Sequence, residues 1–95
     1  MEIIFSQPFV KVLRTIENNQ QHTIEQHKVM NLFEDKIIAD SKLFYLKDVL
    51  DISYKAFSQD YGFLYLHTNQ GLFSFVVRSE PHHFIKEYNR LKKFK

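Results

Sequence analysis

Short runs of apolar residues separated by brief polar breaks dominate the chain, and this pattern predicts strands more than helices. The clearest pair lies at residues 62–68 (GFLYLHT) and 72–78 (LFSFVVR), on either side of Asn69-Gln70-Gly71. Aromatic and β-branched residues fit a pleated surface, and a short turn with Gly between two such runs is typical of a β-hairpin. We therefore predict a hairpin in the last third of the chain.

The segment after this hairpin has apolar residues at helical spacing. They share one stripe at i, i+1, i+4 and i+7, the width of a core-facing helix surface: Phe84, Ile85, Tyr88 and Leu91. Ser79 is placed to cap the helix, and Pro81 is tolerated in a first turn. The pattern predicts a C-terminal helix from about residue 79 to residue 93.

The earlier part of the chain predicts further short strands, at residues 9–16, 22–33, 36–40, 43–46 and 49–55. Residues 22–33 leave an alternative open, because Ile24, Lys28 and Leu32 repeat at four as in a helix. The polar pair Glu34-Asp35 and the short run after it favour a strand. We predict one domain, residues 1–95: a mainly β fold, a roll or barrel of about seven short antiparallel strands, with one C-terminal α-helix.

The predicted hairpin also suggests a pairing of residues. If residues 68–71 form a type I turn with Gly71 left-handed, Thr68 lies opposite Leu72. One face then carries Leu64, Leu66, Ser74 and Val76, and the other carries Phe63, Tyr65, His67, Phe73, Phe75 and Val77. Either face is compatible with the helix packing on it. The predicted core consists of Leu64, Leu66, Val76, Phe84, Ile85, Tyr88 and Leu91.

Composition narrows the class of protein. Aromatic residues make up 16% of the chain, net charge is only +2, and there are no cysteines, which excludes disulfides and thiolate chemistry. No apolar run approaches the ~18 residues of a membrane span, and MEIIFSQPFV lacks the basic and apolar regions of a signal peptide. We expect no transmembrane segment and a cytoplasmic protein.

The order of strands and helix resembles the pleckstrin-homology-like (PH-like) domains, in particular the small bacterial PH-like and GRAM-like members. The resemblance covers about residues 30–93: residues 33–55 (FEDKIIADSKLFYLKDVLDISYK) resemble their middle strands, and GFLYLHTNQGLFSFVVRSEPHHFIKEY their last hairpin and helix. It implies an open barrel plugged by the helix. The uncharged loop Asn18-Asn19-Gln20-Gln21 departs from the basic loop that binds phosphoinositides in some members.

The residues suggest no catalytic or metal centre. His82 and His83 are neighbours about 100° apart on a helix, so they are poorly placed to chelate one ion. The serines have no nucleophile-elbow context, the glycines form no phosphate-binding loop, and Asp48, Asp51 and Asp60 have no spacing that implies acid–base work. We expect no enzyme activity, no metal and no cofactor.

Two functions remain as hypotheses. The first is a small binding or scaffolding module that contacts a protein partner or a second copy of itself through an aromatic strand face, Phe63, Tyr65, Phe73 and Phe75. The alternative is binding of a polyanion, either nucleic acid or an anionic membrane surface. It would use Lys86, Arg90 and Lys93, which share one helix face that Lys92 and Lys95 extend.

Overall fold

The computed structural model describes residues 2–93, which form seven strands, a short 3₁₀ turn and one α-helix. The elements are β1 (Phe5–Glu17), β2 (Gln20–Leu32), β3 (Lys36–Ala39), β4 (Lys42–Tyr45), the turn Leu46–Asp48, β5 (Val49–Ala56), β6 (Gly62–Thr68), β7 (Gly71–Val77) and α1 (His82–Lys93). The predicted mainly β class with a C-terminal helix is confirmed. For residues 22–33, where a helix was the alternative, the strand prediction is confirmed, since residues 22–32 belong to β2.

All seven strands belong to one antiparallel sheet with the order β4-β3-β2-β1-β7-β6-β5. Its weakest junction is between β1 and β7, where the register contains one residue pair, Val10 opposite Val76. Within residues 2–93 the edge strands β4 and β5 do not pair with each other, so the sheet is curved but not closed. A closed barrel is therefore not formed.

The first hairpin is much longer than the sequence pattern predicted. β1 and β2 pair over thirteen positions, from Phe5 opposite Leu32 to Glu17 opposite Gln20. The turn is the two-residue pair Asn18-Asn19, with φ of 52° and 62°. Two positive φ values are what a type I′ turn requires, and Asn tolerates them better than most residues. The turn is thus shorter than predicted, and Gln20 and Gln21 are strand residues.

The last hairpin pairs one residue away from the predicted register. Thr68 lies opposite Gly71, which places Leu66 opposite Phe73 and Leu64 opposite Phe75. Gly71 has a positive φ of 131° but takes part in the ladder, so no third loop residue is inserted. Because a one-residue slip turns each side chain of a strand to the other face, the predicted faces of β7 are exchanged.

A single core fills the concave side of the sheet. The helix contributes Phe84, Tyr88 and Leu91, and these pack with Leu64 and Leu66 of β6. The predicted core is confirmed for these five residues, whereas Ile85 and Val76 are only partly buried and Val77 takes the interior position. The strand register explains the last difference, since Val77 rather than Val76 shares the face of Leu64 and Leu66.

The helix begins three residues later than predicted. His82 is its first residue, and the amide of Ile85 donates to the carbonyl of Pro81 at 3.0 Å. Ser79 does not cap it: its hydroxyl accepts from Nε2 of the buried Gln7 at 3.4 Å. Tyr88 fixes the helix on the sheet, because its hydroxyl donates to the carbonyl of Val49 at 2.8 Å.

Candidate interaction surfaces

The four aromatic residues of the predicted partner surface lie on two faces of the sheet. Phe73 and Phe75 are on the concave side, where their rings contact Phe44 with centroids 5.0 and 6.4 Å apart. Phe63 and Tyr65 are on the convex side. The prediction that all four share one face is wrong, because it depended on the shifted hairpin register.

The convex side nevertheless carries an aromatic strip, which we define as Phe57, Tyr61, Phe63 and Tyr65. The ring of Phe57 stacks on those of Phe63 and Tyr61, with centroids 4.6 and 5.9 Å apart, and Phe63 lies 5.9 Å from Tyr65. Only Phe57 is more than half exposed, at 52%. The rings therefore cover one another to a large extent, which reduces the apolar area that the strip presents to a partner.

Beside the strip, a serine and a histidine are in hydrogen-bonding contact. Ser53 Oγ lies 2.8 Å from His67 Nε2 on the convex face of β5 and β6. Asp51 is opposite His67 in the strand register. Among residues 2–93, however, no carboxylate oxygen forms a hydrogen bond or ion pair with His67. The pair lacks the third group that orients the base in a nucleophilic site.

A second surface is an arm, which we define as residues 11–26, the distal part of the β1–β2 hairpin. The molecule measures 53 × 27 × 25 Å, so one axis is about twice as long as the others. Every residue of the arm is exposed except Leu13, which is partly buried. The arm projects from the remainder of the domain, which we call the body, as a two-stranded ribbon.

The arm carries apolar residues on both of its faces. Val12 and Ile16 share the convex face and are 42% and 78% exposed. Leu13 and Ile24 are directly opposite each other on the concave face, with Ile24 48% exposed. Neither pair touches the core cluster. An isolated two-stranded hairpin is only marginally stable in water, and within residues 2–93 these four side chains have no covering layer that would add to its stability.

The arm also has open backbone edges. Beyond Val10, residues 11–17 of β1 pair with β2 on one side and with no strand of the described residues on the other. Every second residue of this edge directs its N–H and C=O away from β2. On the opposite edge, β3 pairs with β2 only at Met30, Asn31 and Leu32. An open strand edge is a template for pairing with another chain.

Ion pairs hold the base of the arm to the turn between β3 and β4. Asp40, which has a positive φ of 58°, lies 3.4 Å from both Lys11 Nζ and Lys28 Nζ. Desolvation alone raises the pKa of Asp40. The hydrogen bonds and charges of Lys11 and Lys28 outweigh it, so the pKa lies below its usual value. The carboxylate therefore stays ionised at neutral pH and pairs with one lysine of each arm strand.

On the convex side, the arm is tied to the body by Glu25. Its Oε1 accepts from the hydroxyl of Tyr61 at 3.0 Å, and its Oε2 lies 3.7 Å from Arg78. The Arg78 guanidinium lies 5.0 Å from the centroid of the Tyr61 ring. The hydrogen bond to Glu25 raises the pKa of Tyr61. These exposed contacts add little stability, but they restrict how the arm can swing.

A cleft opens where β1 and β7 separate. It has a volume of about 310 Å³ and lies between residues 9–12 of β1, residues 74–76 of β7 and the turn at residues 39–42. Its lining includes Ser74 and Val12 as well as Phe9 and Phe75, whose ring centroids are 5.2 Å apart. The cleft continues the open edge of β1 toward the body.

The predicted polyanion surface is only partly available. Arg90 is held by Glu87, with Nη2 2.7 Å and Nε 2.8 Å from Glu87 Oε2. Lys92 turns toward the body, where its Nζ donates to the carbonyl of Leu46 at 2.8 Å. Lys86 and Lys93 are exposed, with no ion pair to any residue in 2–93. Lys95 lies outside the described residues. Two cations of α1 therefore remain free for phosphate contacts.

The described residues bring no three His, Asp or Glu side chains together in a cluster that could hold a metal ion. Similarly, no helix within residues 2–93 is long and apolar enough to cross a membrane. Comparisons with family models, with curated proteins and with solved structures gave no match. The surfaces described above are thus the basis for a functional proposal.

The arm is the surface that the sequence pattern did not single out. Residues 9–16 have apolar side chains at both parities, and this pattern predicted a strand without indicating which of its side chains are covered. The same signal is produced by a strand whose outer half is uncovered on both faces. The two-residue turn Asn18-Asn19 was the available clue, because it fixes a long, regular hairpin.

Proposed function

We propose that this domain is a non-enzymatic binding module that acts through protein–protein contacts, and that the arm is its binding surface. The observation that carries the proposal is the combination of exposed apolar residues on both faces of the arm with an open edge on β1. A protein strand added to such an edge gains backbone hydrogen bonds, while the alternating side chains provide selectivity.

The arm is a better candidate than the aromatic strip or the helix. The rings of the strip stack on one another, so they already have apolar partners. On the helix, Arg90 and Lys92 are occupied within the chain. The arm side chains Val12, Ile16 and Ile24 have no such cover within the described residues.

The non-enzymatic part of the proposal is supported by the nature of the clefts and polar clusters. The cleft between β1 and β7 is lined by apolar side chains, two serines, Lys11, Lys42 and Asp40, and the two residues Lys11 and Asp40 are paired with each other. The Ser53–His67 pair lies on an open sheet face. Neither place joins a nucleophile, an oriented base and a group that could stabilise developing charge.

We also keep the PH-like assignment as a proposal. It is supported by seven consecutive antiparallel strands followed by a helix whose Phe84, Tyr88 and Leu91 fill the concave side of the sheet. Fold resemblance alone assigns no ligand, so the binding surface is argued from the arm.

The proposal is tested by photo-crosslinking in cells, with a photoreactive amino acid replacing Ile16 in the full chain. We expect covalent adducts with polypeptide that mass spectrometry can identify. The matched control places the same amino acid at Lys86, where we expect few protein adducts. Absence of protein adducts at position 16 would contradict the proposal. Adducts with nucleic acid at position 86 alone would favour the polyanion hypothesis instead.

A further inference from the structure

The open edge of β1 has defined ends. On the body side, β7 occupies the edge at Val10, and at the tip the strand ends at Glu17 before the turn. Between them lie residues 11–17, seven residues that span about 24 Å at ~3.4 Å per residue. The midpoint of this segment is Arg14. A symmetric partner that uses the whole edge must therefore be centred on Arg14.

From this geometry we propose that the partner of the arm is a second copy of this chain, paired antiparallel through β1 about a two-fold axis at Arg14. This inference rests on the proposed function, of which it names the partner. A two-fold interface brings the same patch of both subunits together, so residue i of one strand meets residue 28 minus i of the other. The result is a four-stranded ribbon with the order β2-β1-β1-β2.

The side chains are complementary in this register. Lys11 lies opposite Glu17 of the second copy, which gives two opposite-charge pairs per dimer. Val12 lies opposite Ile16, which gives two apolar pairs on the convex face. Leu13 lies opposite Thr15 and diagonally next to its own copy, so apolar contact forms on the concave face as well. Opposite-charge and apolar cross-strand pairs are the contacts that stabilise antiparallel sheets.

Lys11 can serve both its own chain and the second copy. Its ammonium group is 3.4 Å from Asp40 Oδ2, yet half of its side chain remains exposed. An ammonium group has three donors, and Asp40 uses one of them. Glu17 is exposed and has no ion pair within residues 2–93, so its carboxylate is available for Lys11 of the second copy.

One pair in this register is unfavourable. Arg14 lies opposite itself on the two-fold axis, and like charges directly opposite each other destabilise a strand pair. Neutralising Arg14 should therefore strengthen association, an effect that is not expected if the arm associates only through its apolar side chains.

The edge of β2 does not offer an equivalent solution. Antiparallel pairing about a two-fold axis requires residues of equal parity to meet, so its centre must fall on a residue. Centred on Ile24, the pairing would place Thr23 opposite Glu25 and Gln20 opposite Lys28. Centred on Glu25, it would place two carboxylates together. Neither register contains an opposite-charge pair, so the β1 edge is favoured.

The cleft beside β1 gives room for the second copy. In the register centred on Arg14, the tip of the partner arm extends past Lys11 to the level of Val10. The cleft of about 310 Å³ lies at this level, and Val10, Val12 and Ser74 are among its lining residues. The two bodies lie at opposite ends of the four-stranded ribbon and do not meet. A contact of one strand per subunit is small, so we expect dissociation in the micromolar range.

The first experiment measures association by sedimentation equilibrium of the full chain from micromolar to millimolar concentration. We expect a monomer–dimer equilibrium that either charge reversal, Lys11→Glu or Glu17→Lys, weakens by about ten-fold or more, since each creates two like-charge pairs. The double variant Lys11→Glu/Glu17→Lys should associate more tightly than either single variant, although Glu at position 11 also loses the ion pair with Asp40. Arg14→Thr should strengthen association by roughly three-fold or more.

Lys86→Glu is the control for net charge, and it should leave the dissociation constant unchanged. Circular dichroism of each variant checks that the body stays folded. A chain that is monomeric at all concentrations would overturn the inference, and so would a dimer that the charge reversals do not affect. If position 16 crosslinks to a different protein while the chain stays monomeric, the proposed function stands and the second-copy partner is wrong.

The second experiment uses the absence of cysteine in the chain. Arg14→Cys places two thiols opposite each other across the axis, at the ~4.5–5.5 Å Cα separation of antiparallel pairs, within disulfide reach. We expect a covalent dimer on mild oxidation. The control is Thr23→Cys, which faces Arg14 on β2 but lies three strand spacings, about 14 Å, from its copy. Equal crosslinking of the two variants would overturn the register.

Discussion

β1 and β2 run through both the body and the arm, yet their apolar side chains are buried in the body and mostly exposed in the arm. In the body, Phe9 of β1 and Met30 of β2 are buried in the core cluster, which also contains residues of β3, β4 and α1. A few residues along, Ile16 and Ile24 face solvent. The difference lies in the second layer: a helix closes the body, whereas nothing within residues 2–93 lies over the arm. Strand pairing alone gives a regular β-ribbon, but its apolar side chains become buried only where a second layer packs on the sheet.

The largest expected effect comes from comparing the loss of a buried side chain in the body with the loss of an exposed side chain in the arm. Phe84→Ala, which removes a fully buried ring of α1, should lower the free energy of unfolding by about 3–5 kcal/mol, since the lost burial leaves a cavity. Ile24→Ala on the arm should cost less than about 1 kcal/mol, because its side chain is already half exposed. Chemical denaturation followed by circular dichroism measures both at low protein concentration. A loss below about 1 kcal/mol for Phe84→Ala would mean that α1 does not close the body.

The second prediction concerns the hydrogen bond that holds α1 on the sheet. Tyr88→Phe removes the donor to the Val49 carbonyl and leaves a buried acceptor unpaired, which should cost about 1–3 kcal/mol. Burial, and to a smaller extent the charge of Asp51, raises the pKa of Tyr88 to about 12 from an ordinary value of 10.0. The folded protein therefore keeps this proton where the unfolded chain loses it.

Since the unfolded state releases the Tyr88 proton first, its contribution to stability is complete below pH 10 and is lost as the pH rises toward about 12. The difference in unfolding free energy between wild type and Tyr88→Phe should shrink over this range. Measuring that difference, instead of wild type alone, removes the effect of lysine titration. A difference that stays constant with pH would show that the Tyr88 hydroxyl is not buried.

The third prediction removes the arm. Replacing residues 12–25 by Asn-Gly keeps Lys11 opposite Gln26 and closes the hairpin with a two-residue turn. The body should retain its stability to within about 1 kcal/mol, since the lost contacts of Glu25 with Arg78 and Tyr61 are exposed ones. Thermal and denaturant unfolding check this. Collapse of the body after shortening would show that the two regions fold as one unit.

The smallest expected effect concerns the helix as a polyanion surface. With Arg90 and Lys92 occupied, Lys86 and Lys93 can neutralise about two phosphates, so binding to duplex DNA should have a log–log salt slope no steeper than about −2. Fluorescence titration at two salt concentrations measures it. The comparison is Lys86→Glu/Lys93→Glu, which should abolish what binding there is. A slope near −4, unaffected by this double change, would place nucleic-acid binding on another surface.

The comparison of the two regions also shows what could be predicted from the sequence. The strand segments and the stripe of Phe84, Tyr88 and Leu91 depend on local periodicity, and both are confirmed. The predicted faces of β7 are exchanged, because Asn69-Gln70-Gly71 is compatible with a two-residue or a three-residue loop. Gly71 can adopt a positive φ in either case. The local pattern predicts the strand, but the number of loop residues decides which face of β7 is interior.

That the arm projects from the body could not be predicted from the local sequence pattern, for a different reason. Apolar residues at both parities in residues 9–16 indicate contacts on both faces, and that indication is correct for Phe9 and Val10. Whether the apolar side chains on both faces of β1 are covered depends on how far the neighbouring strands and the helix extend along it. β3 pairs with β2 over only three positions, and nothing in the apolar pattern of β1 encodes that length.

The polar character of β2 has a consequence for how assembly would stop. When two β1 edges have joined, each ribbon still exposes the β2 edge, on which a third chain could begin to add and start a filament. From residue 20 to residue 28, that strand carries one apolar residue, Ile24, and its other residues are polar or charged: Gln20, Gln21, His22, Thr23, Glu25, Gln26, His27 and Lys28. Charged side chains on an edge strand, here Glu25 and Lys28, disfavour addition of a further strand. If the arms pair as proposed, the charges on the β2 edge would favour termination at two subunits over growth of a filament.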